Sequence, residues 1–475
     1  MIALTVGFPR VVQVSHTRFL LSAALVVSVL AGKADAGDVA FPGAEGYGAG
    51  AVGWKGGEIF TVTTLANHGP GSLRQCAETA QTPRVCVFAV SGTIDLHSPL
   101  RVGSNTYIAG QTAPGDGIQL RIVKGRSGTL VLKNAHDIVI RFLKARPGPS
   151  EEMSPTVDAV TIENGQRIYL GSLSLGFATD ETFNVHVSNS TAADITLADS
   201  ILALSLDDST HPKGPHSKGA LLCSAEGRGN QCGRISVLRN LFAHHRDRIP
   251  DIKGTEIGPI EVINNVFYNP ISQFGEFYDL LGDVAVAYLG NIALTGPNTV
   301  RKTPEAVQVF EWEDNNTVSL WAEDNVARTP PGCRRRSVDV LDETAQTRQV
   351  APGSWTLTTR PMPSTEVLDS VLTRAGDRIE GRRAPDSLDE TVIEDVRNCT
   401  GEVIDRVEQA GGWPEISAGD LSVAIDSDGD GLPDAWEQTR DGLDPTQADD
   451  PWDIDAVSGM SYVETWLATM AGDER

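Results

Sequence analysis

From about residue 85 to 295 the chain repeats one pattern, a short apolar, β-branched run closed by turn residues. The runs read VCVFAVSGTI, NTYIAGQ, GTLVLKNA, HDIVIRFLKA, QRIYLGSLSL, ADITLADSIL, RISVLRNLF, IEVINNVFY and VAVAYLGNIAL. Helical spacing is largely absent from this region, so the runs predict strands. Between His136 and Gly290 they recur at irregular steps of roughly 24 to 40 residues, within or near the range of solenoid repeats. A unit of that size cannot bury its apolar face alone and must stack on its neighbours. Polar corner positions such as Asn240, Asn265 and Asn291 suit coils of a parallel β-helix. A β-sandwich is the competing all-β arrangement, but it prefers turns every 8 to 12 residues or about that, and the wider spacing here selects the helix.

Solenoid ends expose apolar surface and unpaired strand edges, so caps are expected. The segment GPGSLRQCAETA (69–80) predicts a short helix beginning near Ser72 that covers the N-terminal end. After about residue 300 the strand rhythm fades into TPPGCRRRS and then into polar, helix-like pieces, LDETVIEDVRN and GEVIDRVEQAGGWP, expected to pack along the solenoid. The resulting division is a leader at 1–36, a β-helix with the candidate catalytic residues at 37–300, a flanking extension at 301–418 and an acidic tail at 419–475.

The leader carries Arg10 and Arg18, an apolar run from Phe19 to Ala31 and the small-x-small pattern Ala34-Asp35-Ala36, which reads as a secretory signal. Its apolar run is shorter than the ~20 residues a membrane span needs. Export to an extracellular or periplasmic space fits the six cysteines, Cys76, Cys86, Cys223, Cys232, Cys333 and Cys399, all beyond the leader. Cys76 with Cys86 and Cys223 with Cys232 are short-loop candidates, leaving Cys333 with Cys399; six cysteines allow about 15 connectivities and spacing alone does not choose among them. The formal net charge is −24, and residues 401–475 hold 19 acidic against 3 basic residues. This excess argues against nucleic acid or an anionic membrane as partner, and a monomer is expected.

Part of the acidity is organised. Residues 426–437, DSDGDGLPDAWE, place Asp426, Asp428 and Asp430 at loop positions 1, 3 and 5, a glycine at 6, the Leu432 carbonyl at 7, Asp434 at 9 and Glu437 at 12. That is the spacing of an EF-hand-type Ca²⁺ loop, oxygen ligands alternating around a turn that needs glycine. A structural clip is the expected role. DIDAVSGMSYVETWL further on resembles a degraded second acidic loop leading into a short helix.

Against this background the segment from His211 to Lys253 stands out, because it gathers Lys218, His244, His245, Arg246, Arg248 and Lys253 on strand-like pieces. Basic groups concentrated in an acidic protein suit a polyanionic substrate. Adjacent coils stack at about 4.8 Å, so Lys218, Arg248 and Lys253 can line one groove. Asp158, Asp180 and Glu181 lie one or two coils earlier on the same face, and they are candidate ligands for a hard cation such as Ca²⁺, with Asn184 able to complete the set. His216 and His245 join Lys218 and Lys253 as candidate substrate-binding residues; His244 is expected to be structural or groove-lining.

Several stretches then carry a specific resemblance: FPGAEGYGAG, GPGSLR, FAVSGTIDL, IAGQTAPGDGI, TVDAVTI, SLSLGFATDE, GPHSKGALL, NLFAHHRDRIPDIK, NNVFYN, TGPNT, RRAPDSLDE, GGWP and DSDGDGLPDAWE. Together they resemble the secreted bacterial pectate lyases of the large family-one type of polysaccharide lyases, over nearly the whole chain beyond the leader. The resemblance implies a right-handed, single-stranded parallel β-helix. It also implies endo-type cleavage of pectate or a related uronate polymer by β-elimination, with Ca²⁺ bridging enzyme and substrate carboxylate. On it Arg248 is the base that takes the C5 proton, and Lys218 and Lys253 contact the substrate carboxylate. The chain departs from these relatives at Gly171-Ser172, where Asp-His is usual, and over Leu173 to Phe177. A non-catalytic β-helix that binds acidic glycan is the alternative. A hydrolase would need two carboxylates about 5 to 9.5 Å apart, and the groove offers Arg and Lys instead.

Overall fold

Strand follows strand in parallel register from Glu58–Val62 to Asp339–Leu341, and among the described residues they form three sheets of ten, nine and nine strands. Apart from the first pair, Glu58–Val62 with Arg84–Phe88, a strand in each sheet pairs with the one three strands away in sequence, so each coil contributes one strand per sheet, as in a parallel β-helix. The structure, a computed structural model, describes residues 1, 2, 7, 39–78, 82–125, 127–255, 257–300 and 304–473. Residues 1–35 and 36–475 separate as two units; the expected leader lies almost wholly outside the described residues. No helix among the described residues is long and apolar enough to cross a membrane.

Alternation explains the interior. In Val160–Glu163 and Glu181–Ser188, Val160, Ile162, Phe183, Val185 and Val187 point inward and are buried, while Thr161, Glu163, Asn184, His186 and Ser188 face outward and are half-buried. Parallel register stacks like on like, Val160 on Phe183 and Phe242 on Phe267, into one continuous core.

The corners are fixed by backbone chemistry. Asn134, Asn164 and Asn189 turn the chain between sheets at φ 52°, 57° and 50°, a left-handed conformation asparagine tolerates best among side-chain-bearing residues. At a second corner a left-handed residue precedes an inward asparagine. There Asn240 donates to Asn265 at 3.0 Å, Asn265 to Asn291 at 3.1 Å and Asn291 to Asn325 at 3.1 Å. The expected corner asparagines are therefore a buried ladder, with Asn325 as a further rung.

The strands continue past residue 300 through Glu305–Phe310, Val318–Glu323, Val326–Arg328 and Asp339–Leu341. Their positions in Val326–Arg328 and Asp339–Leu341 are only partly buried, so the apolar rhythm that marks earlier coils weakens there. The expected cap helix is Leu73–Glu78, with Leu73, Cys76 and Ala77 in the core and the Cys76–Cys86 disulfide pinning it to the first coil. Cys223–Cys232 and Cys333–Cys399 form the other two bridges. LDETVIEDVRN lies in the helix Ser387–Asn398, whereas GEVIDRVEQAGGWP makes only a 3-10 turn, Val407–Ala410.

Two of the three sheet faces are covered. The outer face with Ile201, Leu241, Val266 and Ile292 packs under Val367, Val371, Leu388 and Val392 of the extension. The face with Tyr107, Val139 and Tyr169 packs under Trp54, Trp436 and Trp466. At Gly48 the N-terminal segment comes so close that a Cβ would lie 2.1 Å from the Ile168 carbonyl oxygen, which is why FPGAEGYGAG needs glycine there. The third sheet presents the polar row Thr161, Asn184 and Asp251, and it carries the candidate site.

Candidate active site

Three consecutive strands of that sheet, Glu181–Ser188, Lys218–Glu226 and Asp251–Ile252, are its central three of nine. Register sets Glu181 beside Lys218 and Leu221 beside Asp251, so residues far apart in sequence become neighbours across coils. Asp158 lies just before Val160–Glu163, one coil earlier.

Carboxylate oxygens of Asp158, Asp180 and Glu181 approach within 4.8 Å of one another, and all three residues are buried. Asp158 is held in place: its Oδ1 accepts from the Glu181 amide at 3.1 Å, and its Oδ2 from Thr161 Oγ1 at 2.7 Å and Asn184 Nδ2 at 3.2 Å. Burial, reinforced by the charges of Glu181 and Asp180, raises the Asp158 pKa well above the usual carboxylate range. Burial likewise raises Asp180, and burial together with Asp180 pushes Glu181 up to about 7. Closely set oxygens that resist becoming charged together fit a hard divalent cation, which takes such ligands and offsets their repulsion.

Arg248 faces this trio. Its Nη1 pairs with Glu181 Oε1 and its Nε lies 3.5 Å from Asp251 Oδ2. Burial opposes the guanidinium charge, but Glu181, Asp251, Asp247 and Glu276 more than offset it, so the Arg248 pKa is raised. Lys218 Nζ pairs with Asp247 Oδ1 at 2.6 Å, and Lys253 Nζ lies 3.4 Å from Asp251 Oδ2 and 5.4 Å from the Tyr278 ring centroid. Tyr278 stacks on Phe310 at 4.7 Å, extending the row of Lys253 across further coils.

His211 and His216 stack 3.8 Å apart behind Asp180, and His216 Nε2 lies 3.0 Å from Asp180 Oδ1. Burial first, with the nearby Lys213, Lys218 and Arg248 charges, lowers both pKa values to about 4, so both rings are neutral near pH 7. With Nε2 protonated, His216 donates to Asp180 and orients it.

No family model matches the chain. The probable pectate lyase C of Emericella nidulans is 31% identical over 436 residues, an alignment spanning 91% of this chain and 93% of that protein. The probable pectate lyase C of Aspergillus terreus is 32% identical over 444 residues, spanning 91% and 94%. The chain belongs to the pectate lyase family. Members of this family are polysaccharide lyases, and that is the enzyme class of this chain. The expected bacterial character is not borne out, because these relatives are fungal. Among solved structures, the thermostable pectate lyase PL 47 covers 70% of this chain and 96% of its own at 16% identity, with a TM-score of 0.49.

Most residues singled out from the sequence converge here: Asp158, Asp180, Glu181, His216, Lys218, Arg248 and Lys253. His245 does not. Its ring is wholly buried, with Nδ1 2.6 Å from Ser205 Oγ and Nε2 3.0 Å from the Leu202 carbonyl, so it supports the coil rather than lining the groove. His244 is also buried, 3.3 Å from Asp395 of the extension. Asn184 serves Asp158 instead of joining the cluster. The departure at Gly171-Ser172 lies at the corner between the two covered faces, where Ser172 adopts φ 53°, and not in the groove sheet. Asp251, Glu276 and Tyr278 were missed as site residues. Asp247 and Asp251 were visible beside Arg248, but Glu276 enters only through register with Asp251 one coil on.

The C-terminal loop is placed in part as its spacing suggests. Asp426, Asp428 and Asp430 gather within 4.8 Å. Asp434 turns instead to Ser427, accepting from its amide at 2.8 Å and its hydroxyl at 2.6 Å. The Leu432 side chain is buried against the neighbouring tryptophans, and Glu437 ends the short helix Asp434–Glu437.

Proposed function

We propose that the chain is an exported, Ca²⁺-dependent pectate lyase that cleaves polygalacturonate, or a related uronate polymer, by endo-type β-elimination to 4,5-unsaturated oligosaccharides. The observation that carries this reading is the buried trio Asp158, Asp180 and Glu181 set directly against Arg248, with Lys218 and Lys253 alongside. Endo cleavage accords with a site on the central strands of the open sheet, three strands remaining on either side for further sugars.

Asp158, Asp180 and Glu181 would hold the cation, which when bound offsets their charge and draws electron density from the substrate carboxylate. Lys218 and Lys253 place ammonium groups where that carboxylate lies, favouring the charge that develops as the C5 proton leaves. Arg248 then acts as base. Its ordinary pKa above 12 makes it a poor one, so its surroundings must weaken its hold on the proton. Glu181 does the reverse, pairing with Arg248 and strengthening that hold. Neutralising the trio removes this restraint, and the flanking lysines add repulsion. The proton passes from C5 to Arg248, the electron pair left on C5 forms the C4–C5 double bond, the C4–oxygen bond breaks, and the departing oxygen takes up a proton from water. Beyond Lys253, the stacked Tyr278 and Phe310 offer apolar ring faces to the next sugar.

The test is ultraviolet absorbance of the unsaturated product on polygalacturonate, methylated pectin and alginate, with and without chelator. A rise with Ca²⁺ that chelator abolishes is expected. Binding without cleavage on every uronate would leave a glycan-binding protein instead. We further infer that the Asp426 to Glu437 loop is a calcium clip of EF-hand type.

A further inference from the structure

Glu437 is fully buried, yet neither of its carboxylate oxygens has a hydrogen-bond partner. Burying a carboxylate with nothing to satisfy it is costly, and native proteins reserve such a group for a partner that compensates it. Its neighbours are not cations. Glu437, Asp430 and Asp449 bring carboxylate oxygens within 4.8 Å of one another, and Oδ2 of Asp449 is likewise buried without a partner. Arg440, three residues along, lies over the Trp436 ring at 4.9 Å and 3.9 Å from Asp455. Among the described residues no ion pair reaches Asp430, Glu437 or Asp449.

Asp430 belongs to this set and to the set Asp426, Asp428 and Asp430, so the two share a member. Its Oδ1 accepts from the Leu432 amide at 2.8 Å, and its Oδ2 accepts from the Asp449 amide at 2.9 Å, which draws the segment around Asp449 against the loop. Asp449 lies outside the twelve-residue spacing and could not be read from it. Asp434, which that spacing nominates, is engaged with Ser427.

We propose that Asp449 completes the calcium site of this loop, with Glu437 as its buried ligand, and that the bound ion clamps the acidic tail onto the first coil of the β-helix. This rests on the reading of the loop as a calcium clip and adds a ligand and a role to it. The oxygens, all from carboxylates, select a hard cation of the Ca²⁺ class. The clamp follows from what adjoins the site. A Cβ on Gly431 would lie 2.8 Å from Ile59 in the edge strand Glu58–Val62, Trp436 packs in the cluster with Trp54, and Trp452 Nε1 donates to the Gly57 carbonyl at 2.8 Å. Joining positions 430 and 449 thus fixes two tail segments that pack on the outer face of the first coil.

The test is calcium titration calorimetry in an Asp158→Asn/Asp180→Asn background, which removes two of the three groove carboxylates, paired with thermal melts with calcium and with chelator. One binding event and a calcium-dependent rise in Tm are expected. Adding Asp449→Asn should weaken binding at least tenfold and abolish that rise, while its chelator Tm matches the parent. Glu437→Gln, which keeps the buried shape, should do the same and serves if Asp449→Asn does not fold. No calcium binding in this background overturns the clip itself. Binding and a Tm rise that survive both substitutions overturn the role of Asp449 and Glu437 alone.

Discussion

At the scale of single residues, Arg248 and His245 show how much side-chain position decides. On the proposed reading Arg248 takes the C5 proton from a substrate lying against the carboxylate trio, so Arg248→Ala should lower kcat by about 10²- to 10⁴-fold. On the same reading KM should change little, because the proposed carboxylate contacts Lys218 and Lys253 remain. Steady-state kinetics on polygalacturonate separates the two, and a change confined to KM would remove Arg248 from the chemistry. His245 yields a stability prediction instead. Burial lowers its pKa to about 4 in the folded protein, against an ordinary value near 6.5. The unfolded chain therefore binds the extra proton between those values, and the stability linked to His245 is present above about pH 6.5 and lost as pH falls through 4. The full effect is on the order of 3 kcal/mol. The Tm of the wild type relative to that of His245→Asn should therefore fall on acidification from pH 7 to 4; a pH-independent difference would mean that the ring does not stay neutral in the fold.

At the scale of elements, the asparagine ladder shows what sequence could and could not reveal. Asn240, Asn265 and Asn291 were legible as corner residues because each follows an apolar run, but that they bond to one another depends on register, which no single run contains. Asn265 receives the Asn240 amide and side chain and donates to the Val237 carbonyl and to Asn291. Asn265→Ala strands several buried partners, each worth about 1–3 kcal/mol when left unmade. A Tm fall of several degrees is expected, with the neighbouring strand amides exchanging faster in hydrogen-exchange measurements. Asn325 and the last strands, Val326–Arg328 and Asp339–Leu341, escaped the pattern because those strands bury less apolar surface. Basic residues in one short segment were equally legible. Glu276 and Tyr278 were not, since coil stacking and not sequence spacing brings them to Asp251 and Lys253.

At the scale of the whole molecule, the covering of two faces by chain that is not β-helix leaves the third to carry the candidate site. The helices of the extension were partly legible from their polar, amphipathic runs, but what binds them was not, because the Arg146 and Lys144 ion pairs that anchor the extension join residues more than 200 positions apart. Arg146, buried on the covered sheet, donates to Asp386 at 2.6 Å and to Asp389 at 2.8 Å, and Lys144 pairs with Asp377 at 2.5 Å. Removing one member of such a buried set leaves uncompensated charge, at a cost of about 3–5 kcal/mol. Arg146→Met should therefore loosen the helix Ser387–Asn398, seen as faster amide exchange there. Burial, with the charge of Asp386, already raises the Asp389 pKa, and loss of Arg146 raises it further. The folded variant then holds a proton that the unfolded chain has released, so acid favours its folded state. The Tm deficit of Arg146→Met against wild type should shrink as pH falls from 8 to 5. A deficit that stays constant would show that lost packing, and not the stranded carboxylates, destabilises the variant.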